Sequence, residues 1–252
     1  MLPHFDQLFF AAVFLFQLIN AKFQLFATNK EYHHKNLSFC DAHRECFIRG
    51  KLRNTIGYMI GREYLKLKAL KPFTSDIWLN YHALLHQNRP REVKGWIFGD
   101  TIDESSDEIF QQYVNIKPYC TTCRLSFYTT KSVIRTTRAG HDRKTFACGY
   151  RLVSKTTSEI IPERFLSDRK RGPNQMSFFD QANNGCFGES NSVTLIECAM
   201  RCHLNVMCRS FYFNTKSAAC RYTLFIDSLM SLPDWENNAD YWLRFSRPMW
   251  TA

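Results

Sequence analysis

The sequence lacks the features that define several classes of protein. Only 10 of its 252 residues are glycine and 8 are proline, and no repeat period or low-complexity tract is present, which excludes collagen-like, coiled-coil and repeat architectures. It contains no Gly-x-Ser-x-Gly motif, no glycine-rich phosphate-binding loop and no carboxylate pair with assignable acid and base roles. The sequence therefore predicts a non-enzymatic protein with no catalytic residue and no cofactor.

Long hydrophobic runs are equally scarce. The longest one, Leu8 to Ile19, is shorter than the ~20 residues that a membrane-spanning helix needs. Its position before the small residue Ala21 is typical of a secretory signal peptide over residues 1–21. We therefore expect a secreted, extracellular chain without a transmembrane segment, in which Asn36 of Asn36-Leu37-Ser38 is a candidate N-glycosylation site.

Ten cysteines follow this leader, and in an oxidising compartment paired disulfides are the expected state. Five lie on each side of a polar, cysteine-free stretch at 153–175 that contains the breaker Gly172-Pro173. Charge changes across it as well, from 27 basic and 15 acidic residues over 22–175 to 6 and 7 over 176–252. We interpret the stretch as a linker, and its Arg169-Lys170-Arg171 run as solvated charge in preference to a processing site.

The C-terminal half predicts one helix against an antiparallel sheet. Thr194 and Glu197 have the spacing of a capping box, and Cys198 and Cys202 then lie one turn apart on the inner face of the helix. Alternating segments at 208–213, 219–226 and 241–245 predict three strands.

This order resembles a PAN/apple domain over residues 176–246, on the motifs Glu197-Cys-Ala-x-x-Cys202, Cys208-Arg-Ser-Phe-x-Phe-Asn214 and Cys220. The resemblance implies that Cys198 pairs with Cys220 and that Cys202 pairs with Cys208. An apple domain would pair its first cysteine, here Cys186, with a cysteine in the closing strand, and this sequence has none there.

The N-terminal half predicts two helices followed by short strands, which indicates an α+β fold. One helix runs from Ser38 to near Gly50, and apolar spacing predicts a second at 64–70, before Pro72. Strand-like segments follow at 77–79, 95–99, 125–134 and 145–150. The whole chain is thus expected to form two small disulfide-stapled α+β domains.

Residues 37–152 resemble a divergent C-type lectin-like domain. The resemblance rests on four motifs, which are Ala42-x-x-x-Cys46-x-x-x-Gly50-x-Leu52, Trp78-Leu79, Trp96-x-x-Gly-Asp100 and Phe146-x-Cys148. It implies a bridge between Cys46 and Cys148. The family's calcium-binding triplets are absent, and the acidic run Asp103–Glu108 is more typical of a solvated loop. We therefore expect no metal site and calcium-independent binding.

Two further motifs suggest chemistry only weakly. Cys120-Thr-Thr-Cys123 has the spacing of a redox dithiol but precedes a β-prone run, so a structural bridge is favoured over a thiol oxidoreductase. His82 and His86 would share one face of a helix, but no glutamate follows His82 and no third metal ligand is assignable.

If the three family pairings hold, Cys40, Cys120, Cys123 and Cys186 remain. Each half contains an odd number of cysteines, so Cys186 either pairs across the linker with one of the other three or joins two chains as a disulfide-linked dimer. The sequence leaves both alternatives open.

One segment carries a strong local charge, since residues 117–155 contain nine basic residues and a single acid, Asp142. An extracellular protein meets acidic proteins and sulfated glycans before nucleic acid. The sequence thus predicts a protein that binds an extracellular protein or a carbohydrate, with a matrix, adhesion or assembly component as the alternative. The candidate anion-binding residues are Lys131, Arg135, Arg138, Arg143 and Lys144.

Overall fold

A computed structural model describes residues 30–70, 74–85, 96–100, 123–152, 164–167, 185–230 and 241–247. Several predicted features lie outside these residues, namely the signal peptide 1–21, the acidic run 103–108, the Arg169–Arg171 run, Cys120, His86 and most of the linker.

The first part of the chain forms a mixed sheet with a helix packed on it. Its strands are β1 (Lys30–Leu37), β2 (Thr55–Met59), β3 (Ile77–His82), β4 (Ile97–Phe98), β5 (Leu125–Tyr128), β6 (Ile134–Thr137) and β7 (Lys144–Leu152). The strand order is β1-β7-β3-β5-β6, with β2 paired to β7 and β4 paired to β3. Helix α1 (Phe39–Leu52) follows β1, and a 3-10 helix (Arg62–Leu70) follows β2.

The second part forms an antiparallel sheet in the order β8-β12-β10-β11-β9. These strands are β8 (Leu166–Ser167), β9 (Phe187–Ser190), β10 (Cys208–Asn214), β11 (Cys220–Leu224) and β12 (Trp242–Ser246). Helix α2 (Leu195–Leu204) packs against β10 and β11 through Cys198 and Cys202, which are buried.

Close backbone packing holds α1 on the first sheet. A Cβ atom at Gly50 would lie 2.1 Å from the backbone nitrogen of Gly57, so neither position tolerates a side chain without a shift of the helix away from β2. The Cys46–Cys148 bridge fixes the same helix to β7. The close glycine contact and the disulfide thus hold α1 on the sheet at two points.

The two sheets share one hydrophobic core. Phe39 and Trp78 of the first part belong to the same buried cluster as Phe225 and Ile226 of the second. The Cys40–Cys186 disulfide crosses between the two parts, and the backbone N–H of Leu229 donates to the carbonyl of Leu84 over 2.9 Å. Covalent, polar and apolar contacts thus join the two sheets.

The α+β prediction is confirmed, and so are both helix starts. Ser38 and Thr194 are the N-caps of α1 and α2, and Thr194 forms the predicted capping box with Glu197. The second N-terminal helix is a 3-10 helix with a kink at Glu63, and the predicted strand at 125–134 is a hairpin that turns at 129–133.

Two predicted boundaries differ from the structure. Strand β1 begins at Lys30, before the predicted domain start at Leu37, because its backbone pairs with β7. Leu166 and Ser167 lie within the predicted linker, yet they pair with β12 as an edge strand of the second sheet.

Candidate anion-binding surface

The predicted cations lie on the β5–β6 hairpin and on the loop that joins β6 to β7. Lys131 is in the hairpin turn, Arg135 is in β6 at the end of the strand order, and Arg138 and Arg143 are in the loop. All four are exposed. We call these four residues the cationic surface.

Hydrogen bonds within the turn hold the hairpin that carries Lys131. The Thr129 hydroxyl donates to the Val133 carbonyl over 3.0 Å, and the backbone N–H of Ser132 donates to the Thr129 carbonyl over 2.9 Å. Ser132 adopts a φ of 60°, which closes the turn without glycine. The turn is therefore fixed by local bonds.

The β6–β7 loop is fixed by hydrogen bonds at two adjacent residues. The backbone N–H of Ala139 donates to the Thr137 hydroxyl over 3.0 Å, and the backbone N–H of Phe39 donates to the Gly140 carbonyl over 2.9 Å. Phe39 in turn packs edge-on against Trp78. The loop that carries Arg138 and Arg143 is thereby tied to the face of the sheet on which α1 lies.

Arg135 lies on that same face. It is directly opposite Phe127 in the β5–β6 ladder, and Phe127 is directly opposite Trp78 in the β3–β5 ladder, so the three side chains project to one side of the sheet. The strand and the loop thus place their cations toward one side of the molecule.

Lys144 differs from the other predicted cations. Its ammonium lies 4.4 Å from the ring centroid of Phe127 and 5.0 Å from that of Trp78, and its side chain is 13% exposed. It also lies 3.6 Å from the Asp142 carboxylate. Lys144 is therefore engaged in cation–π and ionic contacts beneath the cationic surface.

Within residues 123–152 the positive charge is almost unmatched by acidic residues. Asp142 is the single acid within 123–152, and its carboxylate faces Lys144. His141 is exposed in the same loop, between Arg138 and Arg143. A count of lysine and arginine alone misses His141, although its place within the basic run was the available signal.

The predicted cysteine residues fall into pairs. The structure contains Cys46–Cys148, Cys198–Cys220 and Cys202–Cys208, the three bridges that the family resemblances implied. Cys186 pairs with Cys40 within the chain, so Cys186 has no thiol left for a bridge to a second chain. Cys123 is disulfide-bonded too, and no described cysteine is free.

His82, the described member of the histidine pair, lies in a strand and not in a helix. His82 is the last residue of strand β3 and is buried, and its Nδ1 accepts from the backbone N–H of Leu84 over 3.4 Å. Burial lowers the pKa of His82 to about 4, with an opposing contribution from Asp227. Among the residues that the structure describes, no group of three or more His, Cys, Asp or Glu side chains could hold a metal ion.

Asp100, in the Trp-x-x-Gly-Asp motif, joins two loops. Its carboxylate accepts from the backbone N–H groups of Gly61, over 2.7 Å, and Arg62, over 3.1 Å, while its carbonyl accepts from Arg151. Burial raises the pKa of Asp100 to about 6 against these hydrogen bonds. Because its oxygens are already occupied by backbone donors, Asp100 acts as a structural clamp.

Asn36, the candidate glycosylation site, is exposed near the end of β1. Ser38 of the same acceptor motif caps α1, since its hydroxyl accepts from the backbone N–H of Asp41 over 3.2 Å. The asparagine is thus accessible, while the serine supports the helix.

No protein-family model matches the sequence, and no curated protein matches it. Among solved structures, the chain is similar to the EPNH mutant of CEL-I, at 8% identity and a TM-score of 0.36, over 49% of this chain and 89% of that one. It is also similar to TC14, a C-type lectin of the tunicate Polyandrocarpa misakiensis, at 13% identity and a TM-score of 0.33, over 49% of this chain and 98% of that one. These neighbours have C-type lectin-like folds. Within the described residues no helix is long and apolar enough to cross a membrane.

Proposed function

We propose that this protein is a secreted, non-enzymatic binding protein that recognises an anionic protein or carbohydrate, such as a sulfated glycan, without calcium. The observation that carries the proposal is the cationic surface. Four exposed cations project from a backbone fixed by hydrogen bonds, and Asp142, the single acid of residues 123–152, faces Lys144 instead.

The chemistry of these side chains suits sulfate and carboxylate groups. Three of the four cations are arginines, whose planar guanidinium groups donate two parallel hydrogen bonds to such anions. Exposed arginines keep access to a ligand, and the fixed loop lowers the conformational entropy lost on binding. Calcium is not required in this proposal because the cations themselves neutralise the ligand.

The disulfides support the cellular location that we propose. The Cys40–Cys186 and Cys46–Cys148 disulfides join residues that are 146 and 102 positions apart. Disulfides persist in oxidising compartments such as the extracellular space. We further propose that residues 37–152 form a divergent C-type lectin-like domain and residues 176–246 a PAN/apple-like domain. The helix–sheet bridges Cys198–Cys220 and Cys202–Cys208 support the second assignment.

Retention on immobilised heparin tests the proposal. The triple variant Arg135→Glu, Arg138→Glu, Arg143→Glu should elute at a much lower salt concentration than the wild type, because exposed charges contribute strongly at low ionic strength. The matched control is Lys35→Glu, Lys51→Glu, Arg164→Glu, which makes the same change in net charge at exposed positions elsewhere.

The two triple variants distinguish binding by the cationic surface from binding by the net positive charge of the whole chain. If the control loses as much retention as the test variant, the net charge of the chain and not the cationic surface is responsible, and the proposal fails. Added EDTA should leave wild-type retention unchanged. A loss of retention with EDTA would contradict calcium independence.

A further inference from the structure

Helix α2 carries an apolar stripe on its solvent side. Ile196, Met200 and Leu204 follow one another at i, i+4 and i+8, and their exposed fractions are 72%, 54% and 74%. Val206, just beyond the helix, is 61% exposed. The opposite face of the helix is held to the sheet by Cys198 and Cys202, so the stripe faces away from the core.

Such a stripe is uncommon on the surface of a monomer, where contiguous apolar patches usually mark contacts with another molecule. Polar side chains border it on one flank, where Glu197 lies in the first turn of α2 and Arg201 in the last. The helix is therefore acidic at its start and basic towards its end, along the same edge of the stripe.

From this pattern we propose that α2 is a self-association surface that pairs with α2 of a second copy of this chain in an antiparallel, two-fold arrangement. The stripe is self-complementary in this arrangement, since Met200 lies near the axis and Ile196 of one copy meets Leu204 of the other. A two-fold contact requires this property, because the same patch serves both partners.

Charge complementarity selects the antiparallel orientation. In an antiparallel pair, the flank that carries Glu197 and Arg201 meets the same flank of the partner in reverse order, which brings Glu197 of each copy towards Arg201 of the other. A parallel two-fold pair would instead turn this flank towards the opposite flank of the partner helix, so that Glu197 and Arg201 would gain no such complementary contact. Opposed helix dipoles favour the same orientation.

The size of the surface sets the strength of the contact. A ten-residue helix is about 15 Å long, so a pair of such helices buries less area than the roughly 800 Å² per partner of a standard stable interface. We therefore expect a reversible dimer that forms with increasing concentration. This assembly is non-covalent, since Cys40 and Cys186 bond to each other within one chain.

Sedimentation equilibrium of the secreted protein over a concentration series, in 0.5 M salt to suppress contacts of the cationic surface, tests the proposal. The weight-average mass of the wild type should rise from one chain towards two, and Met200→Glu should keep it at one chain because two carboxylates would meet at the axis. Leu152→Glu is the matched control, since Leu152 is 75% exposed and lies at the end of β7, away from α2. This control should associate like the wild type.

Two results would overturn the proposal. One is a weight-average mass of the wild type that stays at one chain across the concentration series. This result would overturn self-association even if the stripe were then found to bind lipid vesicles. The other is an association that Met200→Glu leaves unchanged. Circular dichroism of Met200→Glu checks that the variant is folded. Arg201→Glu provides a second variant, compared with the wild type at 0.1 M salt, where exposed charges still interact; it should weaken association because both charged positions of the flank would then be acidic. None of these readouts uses heparin, so the result is independent of the anion-binding proposal.

Discussion

The two α-helices in the described part of the chain begin alike and are used differently. Each starts at a hydroxyl N-cap, Ser38 in α1 and Thr194 in α2, and each holds a disulfide to a neighbouring strand. Yet α1 packs on the first sheet and also shares a buried cluster with Phe225 and Ile226 of the second part of the chain, whereas α2 packs on one sheet and exposes its apolar stripe. An amphipathic pattern thus specifies a helix, but the surrounding fold decides how much of its surface is covered.

The largest expected difference between the two helices is in their response to acid. His43 of α1 is buried between Phe39 and Phe225, and within the described residues its Nε2 has no hydrogen-bond partner. Burial, with contributions from His82 and Arg209, lowers the pKa of His43 to about 3. The unfolded chain binds this proton near pH 6.5, so the stability contribution is present above pH 6.5 and is lost as the pH falls towards 3.

Together with His82, which behaves in the same way, this loss should amount to several kcal/mol of unfolding free energy. Denaturant unfolding at a series of pH values between 7 and 4 measures it. His43→Phe keeps the aromatic stack and should flatten the pH profile, whereas His141→Gln, at an exposed position, should follow the wild type. Equal slopes for His43→Phe and the wild type would show that His43 does not stay neutral.

Truncation of one apolar side chain in each helix gives the next largest contrast. Phe39 is fully buried and contacts Trp78 and His43, so Phe39→Ala should cost about 3–5 kcal/mol of unfolding free energy. Ile196 is 72% exposed, and Ile196→Ala should change stability by no more than about 0.5 kcal/mol at concentrations where the chain is a monomer. Guanidinium titrations, analysed with a common slope, compare the losses of unfolding free energy in the two variants. Similar losses would mean that Ile196 of α2 is covered within a single chain.

The features that the sequence predicted well are those set by local chemistry. Both helices could be located because their caps and apolar spacing lie within a few residues, and the odd number of cysteines in each half limited the pairing of Cys186. Strand β1 was missed because its polar sequence lacks the alternation of a half-buried strand, and only Leu37 at its end is buried. Strand β8 was missed because two residues give no pattern.

The candidate surface was predictable as a charged segment but not as a geometry. Sequence alone grouped Lys144 with its neighbours, whereas the fold places its ammonium against Phe127 and Trp78, which are 17 and 66 residues away in the chain. His82 was likewise considered as part of a helix, because the strand that contains it is defined by pairing with β5 and β4. Such contacts depend on distant segments that no local pattern encodes.

The two helix caps provide the smallest and most local contrast. Ser38 and Thr194 each accept a backbone hydrogen bond over 3.2 Å from the third residue of the helix. Replacement by alanine should therefore cost about 1 kcal/mol at either site, measured by the shift in the denaturation midpoint. Asn36→Gln is the control for Ser38→Ala, because both variants remove the glycosylation motif but only Ser38→Ala removes the cap.

Equal costs at the two caps would mean that capping depends on the helix end alone, although the buried residues of α1 contact both parts of the chain and those of α2 lie in a cluster of the second part. A cost at Ser38 that clearly exceeds the cost at Thr194, after the Asn36→Gln value is subtracted, would contradict this expectation. It would show that the start of α1 also maintains the contact between the two sheets, because Phe39, the first residue of α1, lies in the core that they share.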